Sequence, residues 1–171
     1  MSRVLRRAAL VALVVLAGCR GTRPVDAGHA FLSALNLPAV GPTPHDLRAL
    51  DGKVVLVSFF ATWCFPCLAE MPTLEALQKD YGPRGFQVVA VGMDLDGEKV
   101  LAPFADHYAL RYPVLVADTE MIEGRSAFGV IQGLPTTVML DRRGRAVAGW
   151  HGVESHADMA KAVEKLLAQA P

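Results

Sequence analysis

Residues that would define several other classes of protein are scarce in this 171-residue chain. Three cysteines are too few for a disulfide scaffold, and no early histidine pair completes a zinc-finger pattern. The 17 basic residues only balance the 17 acidic ones, so the basic surplus of a nucleic-acid-binding protein is missing. No internal repeat is visible. Hydrophobic residues nevertheless make up 52% of the chain, which is enough to form the core of one domain.

The N-terminus carries an apolar run, Ala8–Ala17, that is too short to cross a bilayer as a helix. Arginines precede this run, as in a secretion signal. Leu16 to Cys19 closes this run and resembles the bacterial lipoprotein box, in which cleavage precedes the cysteine and its thiol receives diacylglycerol. An ordinary signal peptide with an accidental cysteine is the alternative. We therefore expect residues 1–18 to be a lipoprotein signal peptide and Cys19 to anchor the protein on the periplasmic side of the bacterial envelope.

The segment that follows, residues 19–45, is rich in proline, glycine, threonine and alanine. Such a composition is typical of a tether, although a short element is expected around Phe31–Leu37. We therefore place the folded domain at residues 46–171.

That domain begins with a strand, a helix and a second strand. Lys53–Phe60 and Phe86–Met93 are short, valine-rich runs typical of strands buried on both faces. Phe65–Tyr81 between them has apolar residues at helical spacing, which predicts a βαβ unit with parallel strands. Further elements are predicted downstream: a helix over 97–109, a strand at Tyr112–Val116, a helix capped by Asp118 that ends near Gly129, a hairpin of Thr136–Leu140 with Arg145–Trp150, and a last helix capped by Ser155. This order predicts one α/β domain with a central mixed sheet flanked by helices.

The chemistry-bearing motif is the pair Cys64 and Cys67, at the point where the first strand leads into the helix. A helix N-terminus carries about half a positive charge, which favours a thiolate at the first cysteine. Half of a zinc site is the main alternative, but zinc needs two more ligands and the sequence has no second cysteine pair. A purely structural disulfide in so small a ring would restrict little chain entropy. We expect a redox-active pair that needs no metal and no cofactor.

Four segments together resemble the thioredoxin superfamily, and most of all its TlpA/ResA branch of bacterial envelope thiol–disulfide oxidoreductases. They are VVLVSFFATWCFPC, CLAEMP, GLPTT and LDRRGRAV, and the resemblance extends over residues 45–168. It implies a thioredoxin-like fold and an enzyme that reduces disulfides of client proteins, with cytochrome c or oxidase maturation as possible settings. It also implies a membrane thiol carrier as electron donor. No nucleic-acid partner is expected, because the charges balance.

The resemblance also implies roles for residues around the cysteine pair. Pro135 matches the cis-proline of the family, and the backbone of Leu134 beside it is expected to pair with an extended substrate strand. Trp63 is expected to cover the disulfide as an apolar lid, with core packing as the alternative. Pro66 belongs to the variable dipeptide between the cysteines, where it is expected to touch the substrate and tune the reduction potential.

Glu70 is where the chain departs from thioredoxin itself. Thioredoxin has a buried aspartate on the strand, at the position occupied here by Ser58. Glu70 instead lies three residues after Cys67, on the same face of the predicted helix as Cys67 and Leu74. We expect burial to raise its pKa and to let it exchange protons with Cys67, whereas a solvated glutamate is the alternative.

Three other functions are alternatives to a thiol–disulfide oxidoreductase. A peroxidase of the same fold would hold its cysteine in a proline- and threonine-rich loop, unlike the WCxxC setting here. A copper-site assembly chaperone would use a CxxxC pair and a distant histidine, one residue more than the spacing here. A noncatalytic interaction module would tolerate the loss of either cysteine, and this sequence keeps both.

Overall fold

The computed structural model describes residues 27–169. The expected signal peptide and Cys19 therefore lie outside the described residues. Among those described, no helix combines the length and the apolar character needed to cross a membrane.

The centre of the fold is a mixed six-stranded sheet in the order β1-β4-β3-β2-β5-β6. Strands β2, β3 and β4 are parallel, whereas β1, β5 and β6 each run antiparallel to their neighbour. The strands are β1 Ala39–Val40, β2 Val54–Phe60, β3 Phe86–Gly92, β4 Val114–Val116, β5 Thr136–Leu140 and β6 Ala146–His151. The predicted parallel pair, the predicted hairpin and the α/β fold class are confirmed.

Five α-helices flank this sheet. They are α1 Ala27–Ser33, α2 Phe65–Tyr81, α3 Glu98–His107, α4 Thr119–Ile122 and α5 His156–Leu167, with short 3-10 turns at Leu47–Leu50 and Gly82–Arg84. The capping predictions are confirmed, because Asp118 accepts a hydrogen bond from the Met121 N–H and Ser155 accepts one from the Asp158 N–H. Helix α4 ends earlier than predicted, since Gly124 adopts a left-handed conformation two residues after it.

The folded domain begins before residue 46, so the boundary that we expected for the tether is too late. Strand β1 pairs with β4 at the edge of the sheet, and Leu35 is fully buried. Helix α1 packs Phe31 against Phe128, with ring centroids 5.1 Å apart. A proline-rich segment can still supply an edge strand, because the missing N–H groups of proline cost little where no neighbouring strand needs them.

The apolar core lies on both faces of the sheet, as the continuous hydrophobic run of β2 predicted. Successive side chains of a strand point to opposite faces. Even-numbered positions of β2 therefore join the cluster beneath α2, and odd-numbered positions join the cluster beneath α1: Val54, Leu56 and Phe60 on one face, Val55, Val57 and Phe59 on the other. Ser58 is the one polar residue of β2, and its position in this alternation places it on the α2 face.

Candidate active site

The site forms at the end of β2, where Cys64 and Cys67 are joined by a disulfide with their Cα atoms 5.2 Å apart. Cys64 is the N-cap of α2, and its sulfur accepts a hydrogen bond from the Cys67 N–H at 3.2 Å. Once the disulfide is reduced, this N–H and the positive end of the helix dipole both favour a thiolate at Cys64. The predicted placement of the pair at a helix start is confirmed.

The two cysteines face different surroundings, although their residual exposures of 4% and 3% do not distinguish them. Cys64 lines an open cleft at the surface together with Trp63, Pro66 and Leu134. Cys67 instead lines a small internal cavity of about 10 Å³ beneath the helix. Cys64 is therefore the cysteine on the cleft side.

The opposite wall of the cleft is the loop before β5. The Leu134–Pro135 peptide bond is cis, as the resemblance implied. The Pro135 carbonyl accepts a hydrogen bond from the Gly152 N–H at 2.8 Å. The Thr136 hydroxyl lies 2.7 Å from the Gly133 carbonyl and 3.0 Å from Nδ1 of His151, so the loop is tied to the end of β6.

The rim of the cleft is apolar and largely in solvent. Trp63 is 70% exposed and Phe65 is 82% exposed, so core packing of Trp63, the alternative considered from the sequence, is wrong. Pro66 lies on the same wall, and Ile131 extends the opposite wall beyond Leu134. Exposed apolar side chains beside a reactive sulfur suit contact with a protein client.

The loop that leads into the motif is anchored to β3 by a buried aspartate. Asp94 accepts hydrogen bonds from the Thr62 N–H at 3.0 Å and from the Thr62 hydroxyl at 2.6 Å. The Asp94 carboxylate therefore organises the backbone directly before Trp63.

Glu70 lies beneath the disulfide, on the inner face of α2, with only 1% of its surface exposed. One carboxyl oxygen, Oε2, lies 3.5 Å from the Ser58 hydroxyl and 3.4 Å from the Thr137 hydroxyl. The other, Oε1, accepts a hydrogen bond from the Glu154 N–H at 3.3 Å. The expected burial is confirmed, and the solvated alternative is wrong.

These surroundings raise the pKa of Glu70. Burial is the largest cause, since it removes water from the charged form. The three hydrogen bonds act in the opposite direction, but all are long, and the negative charge of Glu154 adds to the rise. Glu70 is therefore a buried carboxyl group that holds a proton more readily than a glutamate in water.

Sequence reasoning did not find Thr137 or Glu154 as neighbours of Glu70, and treated Ser58 only as a departure from thioredoxin. Thr137 faces Ser58 directly in the β2–β5 register, and Glu154 arrives on the connection between β6 and α5. Only the alternation along β5 indicated that one of its two threonines faces α2. Among residues 27–169, no group of three or more histidine, cysteine or acidic side chains is placed to hold a metal ion.

The mixed sheet flanked by helices, the disulfide at a helix start and the cis-proline across the cleft together define a class. It is the class of thioredoxin-like thiol–disulfide oxidoreductases. The family model described as Redoxin matches residues 25–167, and the chain belongs to that family.

Known proteins resemble the chain in sequence and in structure. Thioredoxin-like protein YneN of Bacillus subtilis is 41% identical over 100 residues, which are 57% of this chain and 56% of that protein. Thiol-disulfide oxidoreductase ResA of Halalkalibacterium halodurans is 34% identical over 102 residues, 60% of this chain and 56% of that protein. The chain thus aligns with a little over half the length of these curated relatives. A crystal structure of a thiol:disulfide interchange protein from Chlorobium tepidum has a TM-score of 0.63 and 30% identity, and it covers 77% of this chain and 94% of that one.

Proposed function

We propose that the protein is a membrane-anchored thiol–disulfide oxidoreductase of the bacterial envelope that reduces disulfides of client proteins. One observation carries the proposal: Cys64 caps α2 at the base of an apolar cleft, directly opposite a cis-proline loop. A nucleophilic sulfur, a positive helix end and a surface for an extended client segment thereby occur at one place.

The reaction uses the reduced pair as a two-electron donor. The Cys64 thiolate attacks one sulfur of the client disulfide, which forms a mixed disulfide and releases the other client sulfur as a thiolate. Cys67 then loses its proton and attacks the Cys64 sulfur. The Cys64–Cys67 disulfide forms and the second client sulfur leaves as a thiolate. The client has thereby gained two electrons, and its two thiolates take up protons from water.

Glu70 has the position and the environment to receive the Cys67 proton. It lies one helical turn from Cys67 on α2, and its raised pKa favours proton exchange over permanent ionisation. The carboxyl group is shielded from water, so the proton stays within the site during the resolving step. We assign Glu70 to proton transfer with Cys67, and Cys64 to the attack on the client.

The direction of electron flow is tested by the reduction potential. Equilibration of the protein with defined mixtures of reduced and oxidised dithiothreitol, followed by a thiol count, measures it. A potential near or below about −250 mV supports a reductase, whereas one near about −120 mV indicates an oxidant. Insulin reduction in the presence of excess dithiothreitol is the matching activity assay, and failure of the wild-type chain to accelerate it contradicts the proposal.

The proposed location of this activity, at a membrane of the bacterial envelope, rests on the N-terminal sequence. Cleavage before Cys19 and acylation of its thiol would tether the domain to the periplasmic side of a membrane, where a membrane thiol carrier could regenerate the reduced pair. The clients that suit such a reductase include cysteine pairs of apocytochrome c and of oxidase copper sites. Cys19→Ser is expected to move the protein from the membrane fraction to the soluble fraction with insulin reduction intact. Wild-type protein released from native membranes without detergent contradicts the anchor.

A further inference from the structure

Two hydroxyl groups, those of Ser58 and Thr137, lie on the inner side of the cysteine pair and have no role in the reaction proposed for the two cysteines and Glu70. Ser58 and Thr137 face each other across the β2–β5 register, and both hydroxyls point at the same oxygen of Glu70. Both side chains lie on the α2 face of the sheet, within an otherwise apolar cluster. Ser58 is 2% exposed and Thr137 is fully buried, so neither hydroxyl is placed there for contact with solvent.

The two oxygens of Glu70 have different kinds of partner. Oε1 accepts a hydrogen bond from the Glu154 backbone N–H, which can only donate. Oε2 faces two hydroxyl groups, each of which can donate or accept. A proton on Oε1 would face the N–H, whereas a proton on Oε2 meets hydroxyl oxygens that can accept it. The neutral carboxyl group therefore carries its proton on Oε2.

The two hydroxyl groups differ in what else they face. Ser58 and Cys67 line the same internal cavity of about 10 Å³, with apolar side chains around most of it. Thr137 does not line this cavity. Ser58 thus contacts Glu70 and also lines the same cavity as Cys67, whereas Thr137 contacts Glu70 from the β5 side alone.

We propose that Ser58 is a positioning residue that links Glu70 to Cys67 and conducts the proton between them, while Thr137 only orients the carboxyl group. The inference rests on the proposed function, because it refines the step in which Cys67 resolves the mixed disulfide. In that step the Cys67 thiol gives its proton to the Ser58 oxygen while Ser58 gives its own proton to Oε2. Ser58 ends unchanged, Glu70 ends neutral, and the Cys67 thiolate attacks Cys64.

Other titratable groups around Glu70 are few. Glu154 contributes a negative charge from the β6–α5 connection, and Tyr112 contributes a phenol from the segment before β4. Burial raises the pKa of Tyr112, and the charges of Glu75 and Glu70 add to the rise, so this phenol keeps its proton throughout the working pH range. Strands β2 and β5 present only the two hydroxyl groups, and α2 presents Cys67.

The test separates the two thiol steps in one stopped-flow experiment. The full-length chain with Cys19→Ser is purified, reduced, and mixed with the aromatic disulfide 5,5′-dithiobis(2-nitrobenzoate). Attack by Cys64 releases one coloured thiolate at a rate that depends on reagent concentration. Resolution by Cys67 releases the second at a rate that does not. The first phase serves as an internal control for folding and for Cys64 reactivity.

We expect the rate of the second phase to rise with pH to a plateau as Glu70 loses its proton. Thr137→Val removes one donor to the carboxylate, so the midpoint should move up by about half a pH unit, with the plateau within twofold. Thr137→Ser keeps the hydroxyl and should restore the wild-type midpoint. Ser58→Ala should move the midpoint in the same direction and also lower the plateau at least tenfold, because the proton path is lost.

Two outcomes overturn the inference. If Ser58→Ala and Thr137→Val have the same plateau, Ser58 does not conduct the proton. If the wild-type second phase shows no slowing in D2O beyond that of the first phase, no proton moves in its rate-limiting step; this measurement needs no variant and stands even if Ser58→Ala does not fold.

The same experiment distinguishes failure of the proposed function. Absence of a second phase in the wild type contradicts the oxidoreductase itself. A Glu70→Gln profile identical to that of the wild type removes Glu70 from the mechanism, and the inference fails with it. A changed Glu70→Gln profile together with a silent Ser58→Ala overturns the inference alone.

Discussion

Cys64 and Cys67 are only three residues apart, yet the outer side of the pair differs strongly from its inner side. On the outer side, Cys64 opens into a cleft whose rim, Trp63 and Phe65, is apolar and exposed. On the inner side, Cys67 lines a small, mostly apolar cavity, and a buried carboxyl group with two hydroxyl partners lies on the same side of the helix. The sulfur that attacks must meet a large client, whereas the sulfur that resolves must lose a proton without exposure to water. The first turn of α2 satisfies both requirements, because it places Cys64 at the surface cleft and Cys67 at the internal cavity.

The inner side is electrostatically unfavourable for an anion, and this also separates the two regions. A carboxylate in a buried site loses its hydration, and the donors at 3.3 to 3.5 Å around Glu70 are too distant to replace it fully. The outer side has the opposite character, since the helix start stabilises negative charge on Cys64. The thiolate is therefore favoured outside and the proton is favoured inside.

Removal of either sulfur should have the largest effect on client reduction, and the two removals should differ in their products. Cys64→Ala should abolish client reduction, because no nucleophile remains in the cleft. Cys67→Ala should keep the first attack and accumulate a mixed disulfide with the client, visible on a non-reducing gel and by intact mass. A mixed disulfide that accumulates in Cys64→Ala and not in Cys67→Ala would reverse the two roles.

Replacement of Glu70 by glutamine should have the next largest effect. The change keeps the volume but removes the titrating group, so client reduction should fall by about 10- to 100-fold and lose its dependence on Glu70 ionisation. Glu75→Gln, on the same helix, is the matched control, because Glu75 forms a partly exposed pair with Arg111 and contributes little. Equal pH–rate profiles for Glu70→Gln and the wild type would contradict the role.

Glu70→Gln should also change how the free energy of unfolding depends on pH. Since the pKa of Glu70 is raised in the folded state, the native protein holds a proton that the unfolded chain has already lost. The contribution of Glu70 to the free energy of unfolding is therefore fully present below the ordinary pKa of glutamate and is lost as pH rises through the folded-state pKa. Urea unfolding of the oxidised wild type and of Glu70→Gln between pH 4 and 8 should show a difference that declines toward higher pH. A difference that grows with pH would mean that the site favours the carboxylate.

On the outer side, Trp63→Ala should weaken binding of protein clients without harm to the fold. An exposed tryptophan at an interface contributes on the order of 1 kcal/mol or more, so KM should rise about fivefold or more while kcat changes less. Reaction with a small aromatic disulfide should change little. Val147→Ala, another exposed apolar position on β6, is the control. An equal loss of activity toward the protein and the small disulfide would place Trp63 in the chemical step instead.

The smallest expected effect is that of Glu154→Gln on the inner side. The substitution removes a negative charge near Glu70 but keeps the backbone N–H that donates to Oε1. The pKa of Glu70 should fall, so the midpoint of the resolving phase should move to lower pH. A midpoint that moves upward would show that the side chain of Glu154 stabilises the carboxylate.

Much of the fold could be predicted because its signals are local. The valine-rich run of β2, the helical spacing in α2 and the caps Asp118 and Ser155 each lie within a few residues of the element that they define. The domain start and the end of α4 could not be predicted in the same way. The proline-rich segment joins the sheet only because β4 offers an edge, and α4 ends because the chain turns at Gly124.

The pair Cys64 and Cys67, its position at a helix start and the one-turn spacing to Glu70 could all be predicted from the sequence, since all three depend on neighbours along the chain. The atoms that surround Glu70 could not, because they come together only in the folded protein. Thr137 and Glu154 stand 67 and 84 residues away from it in the chain, and they reach its carboxyl group through strand register and a loop path. Proton chemistry depends on contacts of this kind, because burial and hydrogen bonding set a pKa and both are properties of packed neighbours.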